Sequence, residues 1–239
     1  MKTKIAIVGT GGVGGFLGGL LARHYEGSSE VEIHFISRGE ALANIRRDGL
    51  RVDAQQGAFT ARPTTATDSA AEIGTMDYVL YCTKAYDVEG GIAGIRPCIG
   101  PRTVILPFLN GVDSAEKIKR MLPDNEVWDG CVYVVAYIVE PGHIVERTNG
   151  YRYLFGSPSG SPDRLEELQR IFTEADIRAR LEADIVRRVW DKFAFISTVA
   201  TATSYTDETY GGVLYDARNR ADFTALLDEF QAVAQARGI

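Results

Sequence analysis

Ile5-Ala-Ile-Val-Gly-Thr-Gly-Gly-Val-Gly-Gly15 is the stretch that decides how this chain is read. Ile5 to Val8 is a short β-branched run with the composition of a buried strand. It leads directly into Gly9, Gly11 and Gly14, spaced G-x-G-x-x-G, and then into helix-like sequence from Phe16 to His24. Each glycine has its own physical task. The first permits a tight turn, the second lets backbone approach a pyrophosphate, and the third lets helix and strand pack closely. The helix start then offers N–H groups and the positive end of its dipole to phosphates. Glycine triplets alone also occur in ordinary turns, but strand, glycines and helix in this order form the context that dinucleotide binding requires. Gly9, Thr10, Gly11, Gly12, Val13 and Gly14 are therefore the expected pyrophosphate loop.

Outward from this loop, Val31 to Ile36 reads as a second strand ending at Ser37-Arg38-Gly39. In this kind of fold an acidic residue near that strand end holds a ribose 2′-OH, whereas an arginine suits a 2′-phosphate. The strand end offers Arg38, and the nearest acid, Glu40, already lies past Gly39. The expectation is NADP rather than NAD, with a plain solvated arginine as the alternative. Glu40 to Arg47 reads as a helix stopped by Gly49, and Leu50 to Thr65 as strand and turn broken by Gly57 and Pro63. Asp77 to Cys82 and Thr103 to Leu106 are further buried strands, ending at Thr83-Lys84 and Pro107-Phe-Leu-Asn110-Gly111. Strands alternating with helices imply a parallel, doubly wound sheet. Ligands of such sheets sit outside the carboxyl ends of the strands. Lys84 and Asn110 lie just past two such ends, on the edge that carries the glycine loop, and this makes both candidates for contact with cofactor and substrate.

The chain has 239 residues, 45% hydrophobic and 24% charged, enough for one large or two small domains. A net charge of −6 without any Lys/Arg run argues against a nucleic-acid partner. Cys82, Cys98 and Cys131 form no C-x-x-C pair, and an odd, scattered count fits a reducing compartment. The N-terminal apolar run is too short for a signal peptide, and the longest one, Cys131 to Val139, is too short to span a bilayer. The expectation is a soluble cytoplasmic protein with no membrane partner. His24, His34 and His143 are scattered and lack metal-site spacing.

Val127 to Val139 and His143 to Glu146 flank the turn signal Glu140-Pro-Gly142, and Tyr151 to Phe155 is another strand candidate. Ser161 as N-cap with Pro162 at the first helical position opens a helix to about Ala175, followed by a short strand, Ile177 to Leu181. Asp184 then caps a long helical stretch. Phe193 to Ala202 carries no charge, so it is expected to be buried on most sides. Lys192 stands immediately before that run. It could share a solvated face with Arg187, Arg188 and Asp191, or it could act as a proton donor at the edge of an apolar helix. Asp207 to Asp216 is turn-rich, with Gly211-Gly212. Ala221 to Ala236 is an amphipathic helix, with Gly238 as a plausible C-cap. Its apolar stripe needs a partner, and a homodimer is one way to supply it.

Taken together, the Gly9–Gly15 loop, Ser37-Arg38-Gly39, Thr83-Lys84-Ala-Tyr, Leu109-Asn110-Gly111-Val, Pro141-Gly142-His-Ile and Trp190-Asp-Lys192 resemble the ketopantoate reductase (2-dehydropantoate 2-reductase) family. The order and spacing fit from residue 1 to about 215. The resemblance implies an α/β fold, with an N-terminal Rossmann-like doubly wound domain over 1–182 and a smaller all-helical domain over 183–239, with NADPH in the cleft between them. It further implies that the helical domain is truncated, because family members continue past this chain's end. Carried over residue by residue, Arg38 would meet the 2′-phosphate and Lys84 would face cofactor and substrate. Asn110 would touch nicotinamide or substrate, and Lys192 would be the general acid that protonates the alkoxide of a 2-oxo acid. The pattern departs at Ile196, Ala200 and Tyr210, where family members carry asparagines that help hold substrate. Ser197, Thr198 and Thr201 are the polar groups nearby, and Ser197 is the substrate-binding candidate among them. Three functions stay open on this reading: reduction of 2-dehydropantoate, reduction of a less polar 2-oxo acid, or a non-catalytic NADP-binding sensor.

Overall fold

The computed structural model describes residues 2–148 and 150–239. The chain divides into two compact units, Met1–Ile185 and Val186–Ile239.

The first unit opens with β1 (Thr3–Val8), α1 (Gly12–His24), β2 (Val31–Ile36) and α2 (Gly39–Asp48). The short strands β3 (Leu50–Ala54), β4 (Gly57–Ala61) and β5 (Thr65–Thr67) follow, then β6 (Met76–Tyr81), α3 (Val88–Ile95), β7 (Ile99–Pro107) and α4 (Ser114–Met121). The remainder comprises β8 (Glu126–Val127), β9 (Asp129–Tyr133), β10 (Ala136–Glu140), β11 (His143–Glu146), β12 (Arg152–Gly156), α5 (Pro162–Glu174) and β13 (Ala179–Leu181). Six strands form a sheet in the order β5-β2-β1-β6-β7-β8, every pairing parallel. This is the strand order of a dinucleotide-binding Rossmann sheet.

Helices cover both faces. Phe16, Leu17, Leu20 and Leu21 of α1 and Leu165, Leu168, Ile171 and Phe172 of α5 belong to one buried cluster with Ile5, Ile7 and Phe35. Val88, Ile92 and Ile95 of α3, Ile118 of α4 and Leu122 just past it close over Ala6, Val8 and Val79 on the other side. The parallel strands therefore read as continuous apolar runs, as expected of a sheet buried on both faces.

The first helix is covered twice, and its glycines make that possible. A Cβ on Gly18 would lie 3.0 Å from Ile7 Cγ1 of the central sheet, and one on Gly19 would lie 2.9 Å from Val52 Cγ2 of β3. The second contact belongs to a four-stranded sheet, β10-β11-β3-β4, which closes over the far side of α1. A third sheet, β13-β12-β9, completes the unit and packs Tyr153 and Phe155 into the same core as the fully buried Trp128.

Several expectations need correction. The first helix begins at Gly12 rather than Phe16, because the loop glycines after Gly11 are already helical. Val127–Val139 is not one strand but β8, β9 and β10, which lie in three different sheets. The helices α3 and α4 carried no clear sequence signal. Both are only eight residues long, and α3 contains Gly90, Gly91 and Gly94, which lower helix propensity. Ser161 precedes α5 as its N-cap, but its side chain makes no capping hydrogen bond.

The second unit is helical: α6 (Ile185–Thr206), α7 (Tyr210–Tyr215) and α8 (Ala217–Ala236). The segment expected to be turn-rich therefore holds a helix. Thr209 caps it, its hydroxyl accepting from Gly212 N at 3.1 Å, so the glycine pair is carried by the cap. Asp216 caps α8 in the same way, accepting from the N–H groups of Arg218 and Asn219. One core cluster of this unit holds Ala202, Val213 and Phe223, with Val199, Leu214, Leu226 and Leu227 packed around them, and Phe230 of α8 packs on the rings of Trp190 and Phe193 of α6. The uncharged run Phe193–Ala202 is not buried on most sides. Phe195 is 52% exposed and Ala200 is also exposed.

Candidate functional site

The glycine loop lies at the carboxyl edge of the central sheet, between the ends of β1 and β6. From β1 the chain crosses to β2 on one side, and from β6 it crosses to β7 on the other, so this is the topological switch point of the sheet. Gly9 adopts φ +89°, where an L side chain is strained, and a Cβ there would press on the Cys82 carbonyl. A Cβ on Gly14 would collide with the Gly9 carbonyl and Cys82 Cβ, so helix and strand could not approach as they do. Gly11 is different. It caps α1 in an extended conformation (φ −73°), and nothing lies within 4 Å of where its Cβ would be. The backbone at Gly11 therefore faces open space, as a loop must where a bulky anion approaches.

Helix geometry leaves the N–H groups of the first turn without intrahelical partners, and no acidic side chain stands in that turn. Partial positive charge is thus concentrated at Gly12, Val13 and Gly14. The residues present fit the pyrophosphate of a dinucleotide on this geometry alone.

A cleft of about 580 Å³ opens along the loop. Gly9, Gly11, Gly12 and Val13 form one wall, and Ala136 at the start of β10 closes against them. The end of β6 contributes Thr83, Lys84 and Tyr86, and the end of β7 contributes Phe108 and Asn110. Lys84 stands exposed in an extended backbone (φ −87°, ψ 145°), and its carbonyl accepts from Asp87 N at 3.0 Å to close the following turn. Asn110, also exposed, precedes Gly111, whose φ of +100° turns the chain away. Six of the expected positions (Gly9, Gly11, Gly12, Val13, Lys84 and Asn110) thus share one cleft.

Thr10 and Arg38 are placed differently. Thr10 Oγ1 lies 2.6 Å from Oγ of the buried Ser37, which ties the glycine loop to the end of β2. Arg38 is the exposed N-cap residue of α2 and does not line the cleft. Its charge nevertheless reaches the Tyr81 phenol at the end of β6. Burial pushes that phenol up, and the bond to Thr83 and the Arg38 charge oppose the shift without cancelling it.

Lys192 and Ser197 belong to the second unit. Lys192 is buried on α6, and Ile196 and Ala200 follow it at one-turn intervals on the same helix face. The Ser197 hydroxyl donates to Phe193 O at 2.7 Å, and the Thr198 hydroxyl donates to Ala194 O at 2.6 Å. Both keep lone pairs as acceptors. Tyr210 stands at 5.9 Å, centroid to centroid, from the rings of both Phe195 and Phe223.

Thr83, Tyr86, Phe108 and Ala136 line the cleft without having been singled out in the sequence. Thr83 and Tyr86 flank Lys84 in a motif already quoted, and Phe108 lies two residues before Asn110, so position past a strand end was a usable signal. Ala136 gave none, since it reaches the cleft through a separate sheet. Among the described residues, no group of three or more His, Cys, Asp or Glu side chains could hold a metal ion, and no helix is long and apolar enough to cross a membrane.

Comparison with known proteins adds sequence relationships to this geometry. The family model described as ketopantoate reductase PanE/ApbA matches residues 5–160, and the model of that family's C-terminal part matches residues 184–239. The crystal structure of 2-dehydropantoate 2-reductase from Porphyromonas gingivalis W83 is 42% identical, with a TM-score of 0.94 over 99% of this chain and 83% of that one. Among curated relatives, an uncharacterized oxidoreductase of Bacillus subtilis is 27% identical over 99% of this chain and 76% of its own length. A 2-dehydropantoate 2-reductase of Mesorhizobium japonicum is 25% identical over 99% and 77%.

Proposed function

The chain belongs to the ketopantoate reductase family of oxidoreductases, and from that premise we propose that it reduces 2-dehydropantoate to pantoate with NADPH. The observation that carries the reading is the open backbone at Gly11 in a cleft that also gathers Lys84 and Asn110. Gly9 to Gly14 would hold the pyrophosphate on the first turn of α1, and Arg38 would pair with the 2′-phosphate. When bound, the reduced nicotinamide supplies a hydride for the ketone carbon of the 2-oxo acid.

The residues of the chain do the rest. Lys84 offers a cation and Asn110 an amide donor and acceptor at the strand ends, suited to orienting a 2-oxo acid. The Lys192 ammonium donates its proton to the alkoxide oxygen as the carbonyl π pair moves onto it, and is left as a neutral amine. A positioned acid of this kind typically contributes about 10²–10⁴-fold. In this assignment residues 1–182 form the cofactor domain, and 183–239 the substrate and dimer-forming domain of a cytoplasmic enzyme.

A second reading has its own support. Ile196 and Ala200 present no amide on the Lys192 face of α6, and Tyr210 is engaged with Phe195 and Phe223. A less polar 2-oxo acid suits such a surface better than a dihydroxy acid does.

One experiment tests both. NADPH oxidation is followed with 2-dehydropantoate and with a panel of apolar 2-oxo acids, using wild type and Lys192→Ala. Turnover of 2-dehydropantoate that falls at least about 100-fold in the variant supports the first reading. Turnover restricted to apolar 2-oxo acids supports the second. NADPH binding with no turnover of any of them removes both and leaves a cofactor-binding protein.

A further inference from the structure

The motif Pro141-Gly142-His143-Ile144 has no part in the cleft, yet hydrogen bonds fasten it to both α2 and β3. It joins β10 to β11, and its two ends touch different pieces of the dinucleotide machinery. At one end, β10 begins at Ala136, whose carbonyl lies where a Cβ on Gly12 would be, so the strand presses directly on the glycine loop. At the other end the turn sits on α2. Asn44 Nδ2 donates to Pro141 O at 2.8 Å, and a Cβ on Gly142 would come to 3.1 Å from Asn44 Cβ. Gly142 has φ +85°, so backbone conformation and lack of space both call for glycine there.

His143 then locks the turn to the sheet. Its Nε2 is 2.8 Å from Asp53 Oδ2 on β3 and its Nδ1 is 3.4 Å from Glu140 Oε1, while Gly142 O accepts from Arg51 N at 3.0 Å. The imidazole is buried and held from both sides by carboxylates. The carboxylate of Asp53 is itself held below the usual range, chiefly by the His143 hydrogen bond.

We propose that the β10–β11 hairpin is the spacer that sets where Arg38 stands relative to the glycine loop, with Asn44 and His143 as positioning residues for recognition of the 2′-phosphate. The inference rests on the NADPH reading above. Arg38 is the N-cap of α2 and Asn44 lies six residues on, about 9 Å along the axis at ~1.5 Å per residue. A helix of 10 residues moves as a rigid body, so a shift at Asn44 is carried to Arg38. Pyrophosphate and 2′-phosphate are parts of one molecule with a fixed span. Loop and arginine must therefore be held at matching separation; the Thr10–Ser37 contact fixes the end of β2, and the hairpin, touching both Gly12 and Asn44, braces α2 against the same loop.

The test is cofactor binding, read by the fluorescence of the reduced nicotinamide, for wild type, Arg38→Gln, Asn44→Ala and His143→Leu with both NADPH and NADH. Arg38→Gln is expected to raise the NADPH Kd about tenfold or more and leave the NADH Kd unchanged. Asn44→Ala and His143→Leu are expected to raise the NADPH Kd about fivefold, with the NADH Kd within twofold of wild type. Asn44 is only half-buried, and its variant loses one hydrogen bond to Pro141 O and one from the exposed Arg47, so it remains informative even where His143→Leu fails to fold. If both variants leave the NADPH Kd alone, or weaken the two cofactors equally, while Arg38→Gln acts on NADPH, the spacer role is overturned and the NADPH reading survives. If Arg38→Gln changes nothing, the NADPH reading itself fails.

Discussion

Thr10 Oγ1 and Ser37 Oγ lie 2.6 Å apart, joining the glycine loop after β1 to the residue that follows β2. The two positions are 27 residues apart in sequence; Ser37 is almost fully buried and Thr10 half-buried, so the Ser37 hydroxyl above all has no easy alternative partner in water. Removing one of them strands the other, and a half-satisfied buried pair costs about 1–3 kcal/mol. Thr10→Val and Ser37→Ala are each expected to lower stability by about that amount and to weaken dinucleotide binding. The double variant should lose less than the sum, because the second change removes an already orphaned group. Denaturant titration of the four proteins checks this. Additive losses would mean that the hydroxyls do not act as a pair.

Two glycines of the same loop should respond to one substitution in opposite ways. Gly14→Ala drives a Cβ into the Gly9 carbonyl and Cys82, an overpacking that typically costs about 1–3 kcal/mol. Gly11→Ala meets nothing and keeps an ordinary negative φ, so the fold is expected to be unaffected. Its methyl instead occupies the face that lines the cleft, and dinucleotide affinity is expected to fall about tenfold or more. Thermal melts and cofactor titrations on both variants separate the effects. A Gly11→Ala protein that binds normally would mean that the pyrophosphate does not approach there.

Much of this loop was legible in the sequence because each constraint acts within a dozen residues. Glycine at 9, 11 and 14 reports a turn, an approach and a packing contact, and β-branched runs report buried parallel strands. The strand Val31–Ile36 and the stop at Gly49 (φ +88°) follow for the same reason. What stayed illegible is what depends on distant chain. Ala136 enters the cleft only because β10 folds over Gly12, and no local pattern in Val127–Val139 marks where one sheet ends and the next begins. The helix α7 was hidden because Gly211-Gly212 reads as a turn until Thr209 is seen to cap it. The uncharged run on α6 read as buried because apolar composition reports a wish for cover, yet Phe195 and Ala200 stay exposed.

Stability should depend on pH through His34, a residue the sequence gave no role. Its ring is buried on β2, neither nitrogen has a hydrogen-bond partner among the described residues, and the nearest carboxylate oxygen, on Glu32, is 3.7 Å away. Burial lowers its pKa, and Lys4 adds to the shift while Glu32 opposes it. A histidine depressed in the folded state stays neutral there while the unfolded chain takes up a proton near pH 6.5. No cost exists above about pH 6.5, and stability falls as the pH drops from there towards the depressed folded value. Unfolding free energies measured between pH 5 and 7.5 (about the window set by that midpoint) are expected to decline on the acid side. His34→Phe should flatten that limb, and an unchanged slope would assign the acid sensitivity to other groups.

Substrate choice is the sharpest question that α6 raises. Lys192, Ile196 and Ala200 follow one another at one-turn spacing, and Ala200 is exposed. An asparagine at Ala200 is therefore expected to fold normally, with stability within about 0.5 kcal/mol of wild type. If the face carrying Lys192 meets the substrate, this amide adds a donor and an acceptor where the chain now offers a methyl group. A single new hydrogen bond to a substrate hydroxyl is worth about 1 kcal/mol, or about fivefold in kcat/KM. Ala200→Asn is accordingly expected to raise kcat/KM for 2-dehydropantoate relative to an apolar 2-oxo acid of similar length, and Ile196→Asn to act in the same direction at some cost in stability. Steady-state kinetics with the two substrates measures the ratio directly. A ratio that stays at the wild-type value in both variants would mean that this helix face does not read the substrate, and specificity would then lie with Lys84, Tyr86 and Asn110 at the strand ends.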